Sequence, residues 1–128
     1  MSNDMKAGQD FLAANATKEG VIVTASGLQY RVMKSGQGAT PGPTDVVKAH
    51  YHGTFIDGKV FDSSVERGEP LELPVNGVIS GWTEALQMMQ EGDQWQLFVP
   101  SDLAYGARGV GPIPGNTALI FEVELIEV

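Results

Sequence analysis

Three short segments hold most of the side chains that could do chemistry. Val46–Ser64, VVKAHYHGTFIDGKVFDSS, sets Phe61 beside the carboxylate of Asp62, with Tyr51 upstream and Arg67 just beyond. Val78-Ile79-Ser80-Gly81-Trp82 brings an indole to the start of a candidate helix. Leu103–Val128, LAYGARGVGPIPGNTALIFEVELIEV, runs from an aromatic loop rich in glycine and proline into a strand carrying Phe121. Together they supply an aromatic-walled apolar slot with a few polar groups at its rim. Such a slot suits a ligand that is itself apolar and has carbonyls to orient, such as a prolyl peptide.

Other chemistries fit less well. The chain has no cysteine, which removes thiol nucleophiles, disulfides and cysteine metal sites together. His50 and His52 share one strand face at a spacing that can hold a metal, but no third ligand is evident. Two surface or satisfied histidines are the better reading, and no metal is expected. Arg108-Gly109-Val110-Gly111 is not followed by a Lys-Ser/Thr pair, so it is not a phosphate loop. A net charge of −8 disfavours nucleic acid, because neutralising phosphates needs clustered Lys and Arg. No run of eighteen apolar residues is present to span a membrane. Met1–Asp10 has no apolar h-region, so no signal peptide is expected in the chain. A cytoplasmic location is expected, with the periplasm as the alternative.

The elements that must position these residues are legible from periodicity. With 128 residues, 42% of them hydrophobic, the chain can bury one core. Asp4–Lys18 reads as a helix with Asn3 or Asp4 as its cap, a thin stripe of Met5, Phe11 and Leu12, and Gly20 past its end. Alternating residues then predict strands around Leu28–Val32, Val46–Phe55, Val60–Asp62, Leu71–Val75, Trp95–Val99 and Ala118–Val128. Asp57-Gly58 is a two-residue hairpin signal. Ser80 is placed to cap a short helix through Met89. The expected fold is α+β: an antiparallel, twisted sheet of five or six strands wrapped around one short helix, with a short N-terminal helix in front. Residues 1–19 form the N-terminal helical segment and residues 20–128 the main domain.

These motifs, in this order, resemble the FKBP family of peptidyl-prolyl cis/trans isomerases from about Gly27 to Val128. The family's pocket-floor tryptophan is matched by Trp82, its strand tyrosine by Tyr51, and its Phe-Asp pair by Phe61 and Asp62. Its Val-Ile pair is matched by Val78 and Ile79, whose N–H binds a ligand carbonyl there. The resemblance further implies that Tyr105 donates its hydroxyl to a second carbonyl, that Phe121 closes the wall, and that Ile113 belongs to the flap. Arg67 falls where the family has an arginine near the acid and the tyrosine. Leu71 stands where phenylalanine is common, and the flap Ala107–Asn116 is short. Each aromatic alone is better read as core packing, and Asp62 alone as a turn residue. Their joint arrangement is what favours a pocket.

The resemblance implies an enzyme that speeds X–Pro rotation in unfolded or flexible polypeptides without a cofactor and is inhibited by macrolides such as FK506 and rapamycin. Asp62, Tyr105, Phe121, Trp82 and Ile79 would act on the bond, while Tyr51, Phe61, Arg67, Leu71, Val78 and Ile113 bind the substrate. A proline-peptide-binding or chaperone module with incidental isomerase activity is the alternative, and a pocketless β-sheet interaction domain is the third reading. Ser26–Tyr30 and the helix before it look like the bacterial subgroup related to the macrophage infectivity potentiator. There a long helix leads to a dimerisation region, so the N-terminal segment reads as the remnant of such an arm. A monomer is expected for this chain, with a dimer in a longer form, and residues 1–15 frayed or loosely packed.

Overall fold

Alternating apolar and polar residues give strands with one buried face, and the computed structural model shows how they assemble over residues 2–111 and 113–128. Along the chain come α1 (Ser2–Asn15), β1 (Ile22–Val23), β2 (Gln29–Lys34), β3 (Val46–Phe55) and β4 (Val60–Ser63). They are followed by α2 (Ser64–Arg67), β5 (Leu71–Pro74), α3 (Ser80–Leu86), β6 (Gln94–Val99) and β7 (Leu119–Glu127). Every strand pairing is antiparallel, in the order β1-β2-β6-β7-β3-β4.

The free edge of β3 is shared by two strands. β4 pairs with its end through His52↔Ser63 and Gly53↔Asp62, while β5 pairs with its start through Val47↔Leu73 and Ala49↔Leu71. The polar segment between them folds into α2. Sharing this edge and the two-residue β1 brings the strand number to seven instead of the expected five or six. The Asp57-Gly58 hairpin is also one residue longer than its two-residue signal. Phe55 N–H donates to the Lys59 carbonyl at 2.9 Å and Gly58 takes the left-handed φ of 92°, a three-residue loop with a bulge.

One sheet face carries the core. Val47, Ala49 and Tyr51 of β3 join Trp95, Leu97 and Val99 of β6 and Phe121, Val123 and Leu125 of β7. Against them α3 buries Trp82, Ala85 and Leu86. At Gly81 an added Cβ would lie 2.7 Å from Val99 Cγ1, so the glycine is what lets this helix approach the sheet. The helix is shorter than Ser80–Met89, because after Leu86 the chain turns through Met89, with Met88 and Met89 N–H both donating to the Ala85 carbonyl. Ser80 does not cap it. Ile79 occupies the cap position, with no side-chain cap bond.

The N-terminal helix runs Ser2–Asn15 and is docked instead of frayed. Phe11 packs 6.1 Å from Phe98 on the face opposite the core. Asn15, only 2% exposed, donates from Nδ2 to Gln29 Oε1 at 2.8 Å, and Gln29 Nε2 donates to the Leu12 carbonyl at 2.8 Å. The cap expected of Asn3 or Asp4 and the place of Met5 in the stripe lie outside the described side chains. No helix among the described residues is long and apolar enough to cross a membrane.

Candidate active site

The shared edge of β3 and the start of α3 enclose a cavity of about 420 Å³. β3 contributes Tyr51; β4 contributes Phe61 and Asp62; β5 contributes Leu71 and Leu73. The turn into α3 adds Gly77, Val78 and Ile79, α3 itself Trp82, the loop between β6 and β7 Tyr105, and β7 Phe121. Period-2 alternation sends Leu71 and Leu73 to the same side. That periodicity could have found Leu73, which was not among the expected site residues. Gly77 has no side chain to give it away.

The walls are aromatic and set edge to face. Trp82 lies at the centre, with the Tyr51 ring 5.3 Å away at 76° and the Phe121 ring 5.2 Å away at 86°. Phe61 meets Phe121 at 5.5 Å and 86°, and Phe55 backs Phe61 at 5.1 Å. The three edge-to-face pairs add about 0.5–1.5 kcal/mol each beyond their buried area, so the walls brace one another. The Trp82 Nε1–H is buried without a hydrogen-bond partner among the described residues. The indole is therefore held by its neighbours' rings.

A polar triad stands at one rim. The Tyr51 hydroxyl donates to Asp62 Oδ2, and Arg67 Nη1 donates to Asp62 Oδ1. Arg67 Nη2 also donates to the Tyr51 oxygen at 3.1 Å, with the guanidinium 5.8 Å from the Tyr51 ring centre. Burial alone would raise the Asp62 carboxyl, but the hydrogen bonds from Tyr51 and Arg67 outweigh it and hold the group below its ordinary value. Burial, then the hydrogen bond to Asp62, raises the Tyr51 phenol, and burial followed by the Asp62 charge raises Tyr105. Near neutrality Asp62 is thus a charged, doubly bonded acceptor and both phenols keep their protons. This is an orienting set of dipoles with no free base in it. Opposite, Ile79 N–H and the Tyr105 hydroxyl face no acceptor among the described residues.

Nine of the eleven expected site residues line this cavity: Asp62, Tyr105, Phe121, Trp82, Ile79, Tyr51, Phe61, Leu71 and Val78. Arg67 does not; it stands behind Asp62, with its side chain about half exposed. Ile113 does not either. It is 7% exposed and turned into the core at the base of the flap, where its N–H and carbonyl both pair with Val110 at 2.9 Å. The two histidines are satisfied locally, His50 by Ser64 Oγ and His52 by Ser63 Oγ, each at 2.9 Å. No group of three or more candidate metal ligands occurs among the described residues.

An antiparallel sheet closing an aromatic cage over one helix defines the class of protein, and comparison with known proteins agrees. The chain belongs to the FKBP-type peptidyl-prolyl cis-trans isomerase family, whose model matches residues 37–126, and residues 1–32 match the domain amino terminal to that isomerase. The FKBP-type peptidyl-prolyl cis-trans isomerase FkpA of Aeromonas hydrophila is 56% identical over 125 residues, 98% of this chain and 47% of the relative. The outer membrane protein MIP of Legionella longbeachae is 53% identical over 122 residues, 94% of this chain and 52% of the relative. The crystal structure of FkpA from Escherichia coli superimposes with a TM-score of 0.95 at 42% identity, covering 98% of this chain and 59% of that one. This chain therefore spans about half the length of the curated relatives it matches. The expected cytoplasmic location finds no support among them, since one is named an outer membrane protein.

Proposed function

We propose that this chain accelerates cis/trans rotation of X–Pro bonds in unfolded or flexible polypeptides, without a cofactor. The observation that carries the reading is the aromatic cage of about 420 Å³, whose polar groups are the bonded Asp62 and, without a partner among the described residues, the Ile79 N–H and the Tyr105 hydroxyl. Rotating the amide costs roughly 18–20 kcal/mol because the twisted state loses resonance. In that state the carbonyl is more ketone-like, the nitrogen is pyramidal and charge separation across the bond falls. Aromatic walls that take the bond out of water therefore grip the twisted conformer better than the planar one, which is differential transition-state binding.

In this reading the proline ring stacks over Trp82 between Tyr51, Phe61 and Phe121, with Val78 and Leu71 completing the wall. Ile79 N–H and the Tyr105 hydroxyl take the peptide carbonyls, fixing one side of the bond while the other turns. Asp62, held by Tyr51 and Arg67, places a fixed negative charge beside the carbonyl carbon as its character changes. Arg67 acts through Asp62, and Ile113 supports the flap beneath exposed Val110. An acceleration of about 10⁵ needs only roughly 7 kcal/mol, within reach of orientation and desolvation together.

FK506 and rapamycin would fill the same slot, with Leu71 leaving one wall thinner than a phenylalanine would. Residues 1–19 would be the end of a longer dimerisation arm and residues 20–128 the isomerase unit, the arm helping to hold large clients. We place the protein in the cell envelope, with the periplasm as its compartment, in keeping with a Legionella relative named an outer membrane protein.

A protease-free isomerisation assay on a proline tetrapeptide, with and without FK506, tests the reading. Catalysis abolished by stoichiometric macrolide is expected. Tight peptide binding with a rate indistinguishable from the uncatalysed one would replace it by a proline-binding module.

A further inference from the structure

Asp62 has two side-chain partners, Tyr51 and Arg67, and the segment carrying each is bonded to a different buried serine. Ser63 is 3% exposed and ends β4. Its Oγ accepts the Glu66 N–H at 3.2 Å and so caps α2, the single-turn helix whose last residue is Arg67. Ser64 is fully buried. Its Oγ accepts the Tyr51 N–H at 2.8 Å and reaches the Tyr51 carbonyl at 3.3 Å, fixing the backbone of the residue whose hydroxyl donates to Asp62. Both serines are braced from β3, Ser63 by His52 Nδ1 and Ser64 by His50 Nδ1. One hydroxyl controls the helix that delivers the guanidinium, and the next controls the strand that delivers the phenol.

We propose that Ser63 and Ser64, braced by His52 and His50, are positioning residues that hold Arg67 and Tyr51 on Asp62; the catalytic consequence rests on the isomerase reading above. Four residues make a helix too short to persist without its ends. α2 has one side-chain cap at its start and Gly68 in the left-handed conformation, φ 79°, at its close. Without the Ser63 hydroxyl the turn frays and Arg67, about half exposed, drifts from the carboxylate. Nothing else among the described residues ties the Arg67 side chain down: its hydrogen bonds go to Asp62 and Tyr51 alone. Ser64 differs in that its loss frees backbone groups inside the sheet edge, where β3 turns from pairing with β5 to pairing with β4.

The experiment compares Ser63→Ala, Ser63→Thr and Ser64→Ala in the full chain. It follows the Asp62 carboxyl by side-chain ¹³C NMR through an acid titration, alongside kcat/KM and near-ultraviolet circular dichroism. In Ser63→Ala the Asp62 midpoint rises toward the ordinary carboxylate value, because the Arg67 contribution that lowers it is lost. kcat/KM falls about three- to fivefold, the population factor that one helix cap carries. Ser63→Thr keeps the hydroxyl and retains both wild-type values. His52→Ala combined with Ser63→Ala is less than additive, since the two act through one contact. An Asp62 midpoint unchanged in folded Ser63→Ala and Ser64→Ala, or a threonine variant as impaired as the alanine one, overturns the proposal. Failure of the isomerase reading shows separately, as a wild-type chain without activity whose Asp62 still titrates as described.

Discussion

Gly53→Ala adds one methyl group at the point where the aromatic walls meet. Gly53 lies in β3 opposite Phe121 on one side and Asp62 on the other. A Cβ built there would lie 2.7 Å from Phe61 Cζ and 3.1 Å from both Phe61 Cε1 and Phe121 Cε1. Carbon atoms rest at about 3.5–4.0 Å, so the Phe61 ring has to move by about 1 Å. Phe55 backs that ring and Phe121 flanks it, so the open direction is into the cavity. Overpacking of this kind costs about 1–3 kcal/mol of stability, which for a domain of this size lowers Tm by about 4–12 °C. The larger effect is on the site, where a displacement of about 1 Å in a group that defines geometry lowers the rate by up to roughly 10²-fold. kcat/KM should therefore fall about 10- to 100-fold while the protein stays folded at 25 °C. Thermal unfolding by circular dichroism and the tetrapeptide assay measure the two losses. A variant with full activity and a Tm within about 1 °C of wild type would show that the cage tolerates this shift, and the reasoning from rigid walls would fail.

Asp62→Asn keeps an acceptor for the Tyr51 hydroxyl but loses the charge that holds Arg67; after allowance for its partial exposure, kcat/KM should drop about five- to tenfold, measured on the same tetrapeptide. The pH profile follows from the same groups. Asp62 titrates lower in the folded chain than when unfolded, so the stability it adds is complete above the unfolded carboxylate range and is lost as pH falls through the lowered midpoint. Tyr51 and Tyr105 are raised, so their share is lost only as pH climbs through the phenol range. Activity should then be flat between about pH 6 and 8, and a steep bell across that window would refute a mechanism without a titrating base. Asn15→Ala should remove about 1–3 kcal/mol of stability in urea unfolding, by stranding buried Gln29, with kcat/KM on short peptides unchanged because no described residue of α1 lines the cavity. FK506 should inhibit competitively and quench or shift Trp82 emission; unchanged fluorescence with no inhibition would place it elsewhere.

The parts of this fold legible in the sequence were those written as period and spacing. The patterns in Val46–Phe55 and Ala118–Val128 predict two of the inner strands, found at Val46–Phe55 and Leu119–Glu127, and these carry Tyr51 and Phe121. The edge was harder to read, because two strands with a helix between them share one partner, and a local pattern cannot say that β4 and β5 lie end to end along β3. Ile113 was misplaced for a related reason. An isoleucine in a glycine-proline loop reads as rim, whereas the isolated bridge to Val110 folds the loop back and sends the side chain into the core. The N-terminal helix looked marginal because its apolar stripe is thin, and a stripe does not report polar docking. What fastens it is a buried amide pair, Asn15 to Gln29, fourteen residues apart.

The same limit explains the serines. Ser63 and Ser64 carry no periodic signal, and in isolation they read as ordinary turn residues after Phe61-Asp62. Their meaning depends on which strand runs alongside, since only the register His52↔Ser63 brings each histidine to its hydroxyl. A reading by residue type finds the aromatics and the acid, because these announce a pocket. It passes over the groups that hold the acid's partners, because a hydroxyl reports nothing until the sheet has placed it. In this chain the cage walls are held by packing between rings, which tolerates a conservative aromatic change. The Asp62 rim is held by single hydrogen bonds in series, which do not. Substitutions just outside the cavity, at Ser63 and His52, should therefore disturb the Asp62 rim more than a conservative aromatic change in the walls does.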